Sequence, residues 1–129
     1  MNEETLIRYK GVEINQQALC VLHDVDFELH KGEFIYIIGK VGSGKSTFLK
    51  TIYGELDIAE GEATVLGYNL KKVKQRQISE LRRKLGIVFQ DFQLLIDRNV
   101  HDNLDFVLRA TGWKQRSEIE SRIEEVLQL

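Results

Sequence analysis

Eight consecutive residues, Gly39-Lys40-Val41-Gly42-Ser43-Gly44-Lys45-Ser46, follow the pattern G-x-x-x-x-G-K-[ST]. These residue types at this spacing suit one task, the close wrapping of a polyphosphate. Glycines at 39, 42 and 44 let the backbone take positive φ and approach phosphate oxygens without a Cβ in the way. A concave row of N–H groups then donates to those oxygens, and a helix opening near Lys45 adds the positive end of its dipole. Lys45 supplies a point charge for the β- and γ-phosphates. The Ser46 hydroxyl supplies a ligand for the Mg²⁺ that bridges them, and Thr47 a contact to the α-phosphate. Lys40 adds positive charge, with Val41 and Ser43 as intervening loop residues. A plain glycine-rich turn with a solvent-facing lysine does not explain this combination, which chance produces in roughly one chain of this length in a few hundred.

A cup of this kind needs a strand to deliver the chain and a helix to receive it. Asp24 to His30 alternates, with Val25, Phe27 and Leu29 on one face, as a half-buried strand does. After a turn at His30-Lys31-Gly32-Glu33, Phe34 to Ile38 is a continuous apolar run ending at Gly39. It predicts a strand buried on both faces, as in a parallel sheet covered by helices. Lys45 to Tyr53 predicts the receiving helix, closed by Gly54, with Phe48, Leu49 and Ile52 toward the sheet. Leu6 to Tyr9 and Glu62 to Leu66 read as further strands, and Ile87 to Phe89 as a second buried one. Gln75 to Leu85 reads as a helix with Ile78, Leu81 and Leu85 on one stripe. The last third is helical. Asn99 is the expected N-cap of a helix whose stripe is Val100, Leu104, Val107 and Leu108, stopped by Thr111-Gly112. Ser117 and Glu120 form a capping-box pattern ahead of Ile119, Ile123, Val126 and Leu127. The pattern is mixed α/β followed by a helical segment.

Composition narrows the function classes. The 129 residues are 43% hydrophobic and 29% charged, which suits a folded domain rather than a disordered chain. Eighteen basic against 20 acidic residues give a net charge of −2, which argues against a specific nucleic-acid binder. The longest apolar run is far short of the ~20 residues that span a bilayer, and the acidic start Met1-Asn2-Glu3-Glu4 does not read as a signal peptide. Cys20 cannot form an internal disulfide and is expected to be a buried apolar residue in a reducing compartment. His23, His30 and His101 show no metal spacing. Seven basic residues and one acid between Lys71 and Lys84 read as a solvated helix face, with Arg82, Arg83 and Lys84 at the negative end of the helix dipole; contact with anionic lipid head groups or a nucleic acid is the alternative. Trp113 is expected to cover the helical segment. Proline is absent, and Leu129 falls inside an apolar helical repeat without a stop signal, so a truncated domain is expected.

The motifs together resemble those of the ATP-binding cassette (ABC) ATPases. Val41-Gly42-Ser43-Gly44-Lys45-Ser46-Thr47 is similar to that family's Walker A motif. Glu60-Gly61-Glu62-Ala63 with Gly67 is similar to the hairpin of its small antiparallel sheet. Leu85-Gly86-Ile87-Val88-Phe89-Gln90 resembles the approach to its Q-loop, and Val100-His101-Asp102-Asn103-Leu104 the opening of its helical subdomain. The wording Asp91-Phe92-Gln93-Leu94-Leu95 most resembles the cell-division (FtsE-type) subfamily, with lipoprotein- and drug-export subunits as close relatives.

The resemblance implies a P-loop NTPase fold of which this chain would be the N-terminal part. Residues 1–90 would form an incomplete nucleotide-binding core with the antiparallel β subdomain, and 91–129 the Q-loop and the start of the helical subdomain. It implies ATP and Mg²⁺ as ligands, Lys45 and Gln90 as catalytic groups, and Ser46 and Gln90 as the metal's neighbours. Gln90 would sense the γ-phosphate, although a glutamine capping a strand end reads the same in isolation. The loop 90–98 would abut an integral membrane partner (FtsX-like). The intact protein would be a homodimeric cytoplasmic ATPase, peripheral on the inner face of the cell membrane. A lipoprotein- or drug-export ATPase, or a non-catalytic nucleotide-gated scaffold, are the alternatives. Three departures stand out. No LSGGQ signature, Walker B aspartate, catalytic glutamate or switch histidine occurs, so the 129 residues are expected to bind nucleotide and hydrolyse it negligibly. Asn15, Gln16 and Gln17 stand where the family stacks an aromatic ring on adenine, leaving Tyr9 or the apolar flank of Leu19 and Val21 as substitutes. Lys40 occupies a position often small or neutral.

Overall fold

The computed structural model describes residues 4–129, so Met1, Asn2 and Glu3 of the acidic start lie outside the described residues. The chain forms two compact units, Met1–Gly86 and Ile87–Leu129.

The first unit is built on a four-stranded antiparallel sheet. Strands β1 (Thr5–Gln16) and β2 (Leu19–His30) form a long hairpin, β3 (Glu60–Val65) and β4 (Tyr68–Asn69) a short one, and the spatial order is β2-β1-β3-β4. With partners on both sides, β1 carries the core: Ile7, Tyr9, Val12 and Ile14 are all buried. Strict alternation would turn Val12 and Ile14 outward. A bulge corrects this, with Gly11 at φ 57 and the register slipping between Tyr9 and Val12. The bulge needs a bare neighbour on β3. Gly61 sits there at φ +91, and a Cβ on it would lie 2.4 Å from the Gly11 carbonyl oxygen.

Helix α1 (Lys45–Ile52) covers this face. The Phe48 ring meets Tyr9 and Phe27 edge-on, each at 5.2 Å between centroids. The Thr51 hydroxyl donates to the Phe48 carbonyl at 2.6 Å, which leaves the Tyr9 hydroxyl to donate to Thr51 Oγ1 at 2.8 Å. Burial pushes the Tyr9 phenol up to about 12. Helix α2 (Gln75–Arg83) buries Ile78 and Leu81, as its pattern predicts. Arg82 lies in the last turn of α2, as expected, and its Nε also donates to the Tyr53 carbonyl, just past the end of α1, at 2.8 Å. Gly54, at φ +74, makes the turn there, where a Cβ would come within 2.9 Å of Ile78. Of the helix face predicted for α1, Phe48 is buried and Ile52 half-buried, but Leu49 is exposed.

Two predicted strands are absent. Phe34 to Ile38 and Ile87 to Phe89 have no regular structure, and all five residues of the first run are exposed. A strand exists through its ladder, and among the described residues every sheet pairing is made by β1 to β4. Cys20 is likewise exposed rather than buried, because β2 is an edge strand whose first residues face solvent.

The second unit holds α3 (Val100–Ala110) and α4 (Arg116–Leu127). Asn99 caps α3 as expected, accepting from the Asp102 amide at 2.8 Å, and Thr111 closes it. Ile119 and Ile123 are buried and Leu104 and Leu108 half-buried, whereas Val100, Val107 and Leu127 are exposed. Helix α4 starts at Arg116, behind the extended backbone of Gln115, so Ser117 lies inside the first turn and is not the N-cap. His101 joins the helices, with Nε2 at 2.9 Å from the Glu120 carboxylate and Nδ1 at 3.1 Å from Asp102. Trp113 keeps 38% of its surface exposed.

Candidate functional site

The loop 39–44 runs into α1, and the sheet fixes where α1 begins. Gly44 is the helix N-cap, left-handed at φ 101 and ψ 10, and no side chain caps the helix. The first-turn amides of a helix have no acceptor within it. Here no acidic residue stands in that turn either, so the positive end of the dipole is left for an external anion. Gly44 is bare for a second reason: Leu22 of β2 lies beneath it, 2.9 Å from where a Cβ would sit. Gly42, at φ +83, makes the other left-handed bend. Gly39 differs from the expectation, because its φ is not positive. A Cβ there would meet the Ser43 hydroxyl oxygen at 2.5 Å, a contact that rotation of the Ser43 side chain relieves.

Lys45 folds back over the loop. Its ammonium donates to the Gly39 carbonyl and, at 3.3 Å, to that of Lys40. The Ser43 amide closes a turn on the same Lys40 carbonyl at 3.0 Å. The ammonium thus rests on the carbonyls of the loop it follows. Val41, Ser43 and Ser46 are exposed and Lys45 and Thr47 half-buried. Among the described residues no group of three or more His, Cys, Asp or Glu could hold a metal ion. The Ser46 hydroxyl, exposed in the first turn of α1, is a hard oxygen donor of the kind Mg²⁺ takes.

The structure brings residues 39–47 together in the first unit. Gln90 belongs to the second, exposed in a turn with Asp91. Next to it, Phe92 and Gln93 have φ of 62 and 54, and Gln93 Nε2 donates to the Asp91 carboxylate at 2.9 Å. Asn15, Gln16 and Gln17 form the exposed tip of the β1–β2 hairpin. Tyr9 is no substitute for an adenine-stacking ring, being 2% exposed and bonded to Thr51. Leu19, by contrast, is 73% exposed. Sequence reasoning missed Leu22 as the floor of the loop, because nothing local ties a β2 leucine to a glycine 22 residues on. Asn103, which the sequence offers as the asparagine of the Val100-His101-Asp102-Asn103-Leu104 motif, bonds Leu95, Arg98 and Asn99 through its side chain.

This loop and its supporting fold define a nucleotide-binding cassette, and comparison with known proteins gives the family. The model of the family described as ABC transporter matches residues 22–129. The chain belongs to that family. It is 41% identical over 108 residues to the cell division ATP-binding protein FtsE of Streptococcus pneumoniae serotype 2 (strain D39 / NCTC 7466), covering 84% of this chain and 46% of that protein. It is 36% identical over 125 residues to the methionine import ATP-binding protein MetN of Helicobacter acinonychis (strain Sheeba), covering 96% of this chain and 38% of the relative. The chain thus spans about half or less of the length of these relatives. Among solved structures, the ATP-binding cassette MJ0796, in a dimeric post-hydrolysis state bound to ADP and Pi, superposes with a TM-score of 0.81 at 28% identity. That match covers 95% of this chain and 56% of the other.

Proposed function

We propose that this chain carries the phosphate-gripping part of an ABC-type ATP-binding subunit. Residues 1–90 serve as its nucleotide-binding core with the antiparallel β subdomain, and 91–129 as the Q-loop and the start of the helical subdomain. Residues Gly39 to Thr47 wrap the phosphates of ATP, Lys45 neutralises charge on the β- and γ-oxygens, and Ser46 holds Mg²⁺. Gln90 senses the γ-phosphate beside the metal. The observation that supports this most is the α1 N-terminus, uncapped behind a left-handed Gly44, with the Lys45 ammonium resting on the carbonyls of the loop.

In the intact protein this grip serves ATP hydrolysis by a homodimer, cytoplasmic and peripheral on the inner face of the cell membrane, docked through the loop 90–98 on an integral membrane subunit. No described helix is long and apolar enough to cross a membrane. A cell-division role like that of FtsE, with an FtsX-like partner, is favoured by the 41% identity. Solute import is the second reading, favoured by the 36% identity to MetN over 96% of the chain. The test is phosphate release with Mg·ATP. The intact protein is expected to turn over and to lose at least roughly a hundredfold on Lys45→Ala, while the 129 residues alone release negligible phosphate. Robust turnover by the 129 residues, or an intact Lys45→Ala protein as active as its parent, would overturn the proposal.

A further inference from the structure

The basic stretch from Lys71 to Lys84 is not one uniform face. Arg76 pairs with Glu80 at 3.8 Å, and Arg82 holds the Tyr53 carbonyl. Arg83 stands in the last turn of α2, where the helix dipole accounts for it. Lys72 and Lys84 have another setting. They line a cleft of about 330 Å³ between the β3–β4 hairpin and α2, with Tyr68, Asn69, Val73 and Gln77 among its walls. No acidic side chain lines this cleft, and neither lysine has a carboxylate partner among the described residues.

The polar side chains of the cleft are turned to donate. A backbone N–H can only donate, so the atom it meets is an acceptor. The Lys71 amide meets Asn69 Oδ1 at 3.0 Å, and the Lys74 amide meets Gln77 Oε1 at 3.0 Å. Each side-chain oxygen is thereby engaged, and each NH2 end has no protein partner among the described residues. The turn that carries them is held by the Asn69 carbonyl, which accepts from the Lys72 and Val73 amides, both at 3.0 Å. The Lys84 ammonium lies over the Tyr68 ring, 5.1 Å from its centroid. Leu66 and Gly67, at φ 48 and 86, make the tight turn that presents this ring.

Two ammonium groups and two amide NH2 groups around one small cleft suit a tetrahedral dianion. A phosphomonoester carries roughly −1.5 to −2 charges at neutral pH and three terminal oxygens that accept. Side chains already held in place lose little freedom on meeting it. A nucleic-acid backbone fits less well. It carries one charge per phosphate and needs a continuous basic track, whereas this cleft is short and the whole chain has a net charge of −2.

We propose that this cleft is an anion site, distinct in its residues from the loop 39–47, that binds a phosphomonoester, free or carried as a lipid head group. Lys72 and Lys84 neutralise its charge, and the NH2 groups of Asn69 and Gln77 fix its oxygens.

The test uses the intact protein with Lys45→Glu, so that the phosphate loop does not compete. Glycerol 3-phosphate, titrated at constant ionic strength, should shift the side-chain NH2 signals of Asn69 and Gln77 saturably in NMR spectra. Lys72→Gln with Lys84→Gln should weaken binding at least about tenfold. Lys71→Gln with Lys74→Gln, which removes equal charge outside the cleft lining, should change it less than about threefold. Vesicles of phosphatidylcholine with phosphatidic acid carry the same ester on a membrane. Co-sedimentation with them that the cleft pair abolishes would uphold the site with a lipid source, and binding of glycerol 3-phosphate alone would uphold it with a free one. Silence toward both probes would overturn the site. So would equal weakening by the two double variants, which would mark diffuse charge. An oligonucleotide that moves the same signals at lower concentration than either probe would overturn the phosphomonoester as the ligand.

Discussion

Strand β1 and the run Phe34 to Ile38 are both rich in apolar and β-branched residues, yet they end in opposite states. β1 has a partner on each side and buries Ile7, Tyr9, Val12 and Ile14. The run 34–38 pairs with no described strand and lies exposed, Ile38 at 91%. β-propensity measures how well a residue fits a sheet that already exists. The difference between the two regions is the supply of neighbours, and a strand's own residues cannot specify that supply.

The comparison breaks most sharply at Gly61. Alanine there would force a Cβ to 2.4 Å from the Gly11 carbonyl at a φ of +91. Gly61→Ala is expected to cost about 2–5 kcal/mol, combining overpacking with left-handed strain, and to unfold the first unit in a urea titration well below its parent. Next come matched truncations. Ile14→Ala, at a site with no exposure, should cost about 2–5 kcal/mol. Ile38→Ala, in the exposed run, should stay within about 0.5 kcal/mol. Equal effects in the same titration would erase the contrast between the regions. The exposed run should also show itself in association. Light scattering is expected to give a mass that rises with concentration, and Ile38→Lys to bring it back toward the monomer. A clean monomer at high concentration would count against this.

The smallest effect is electrostatic and lies in the second unit. Hydrogen bonds to Glu120 and then Asp102 raise the His101 pKa. The raised value means that the folded state holds the proton more tightly than the unfolded one. The stabilising contribution is therefore complete below the unfolded value of about 6.5 and fades as pH rises through the folded one. Being solvent-exposed, the contact is modest and screened by salt. His101→Gln should flatten the pH dependence of melting above about pH 6.5, and an imidazole titrating below that value by NMR would contradict the assignment.

Legibility followed locality. The left-handed bends at Gly42 and Gly44, the Asn99 cap and the stripe Ile78–Leu81 depend on residues within a turn or two of each other, and they read directly from the chain. The β1 bulge could not be read, because Gly11 matters through Gly61 on another strand. The strand at 34–38 was misread for the same reason, since local pattern carries no information about what lies beside it. At the site, Gly42 and Gly44 read correctly as left-handed positions. Gly39 does not take the left-handed backbone read for it, and Leu22 could be found only from the fold.

The central claim is that Gly39 to Thr47 closes on a magnesium-bound polyphosphate, and isothermal titration of the 129 residues with Mg·ATP tests it most directly. The account predicts saturable heat of binding that Lys45→Glu abolishes and that falls when Mg²⁺ is withheld. No binding heat in the parent, or the same isotherm in the Lys45→Glu variant, would contradict it.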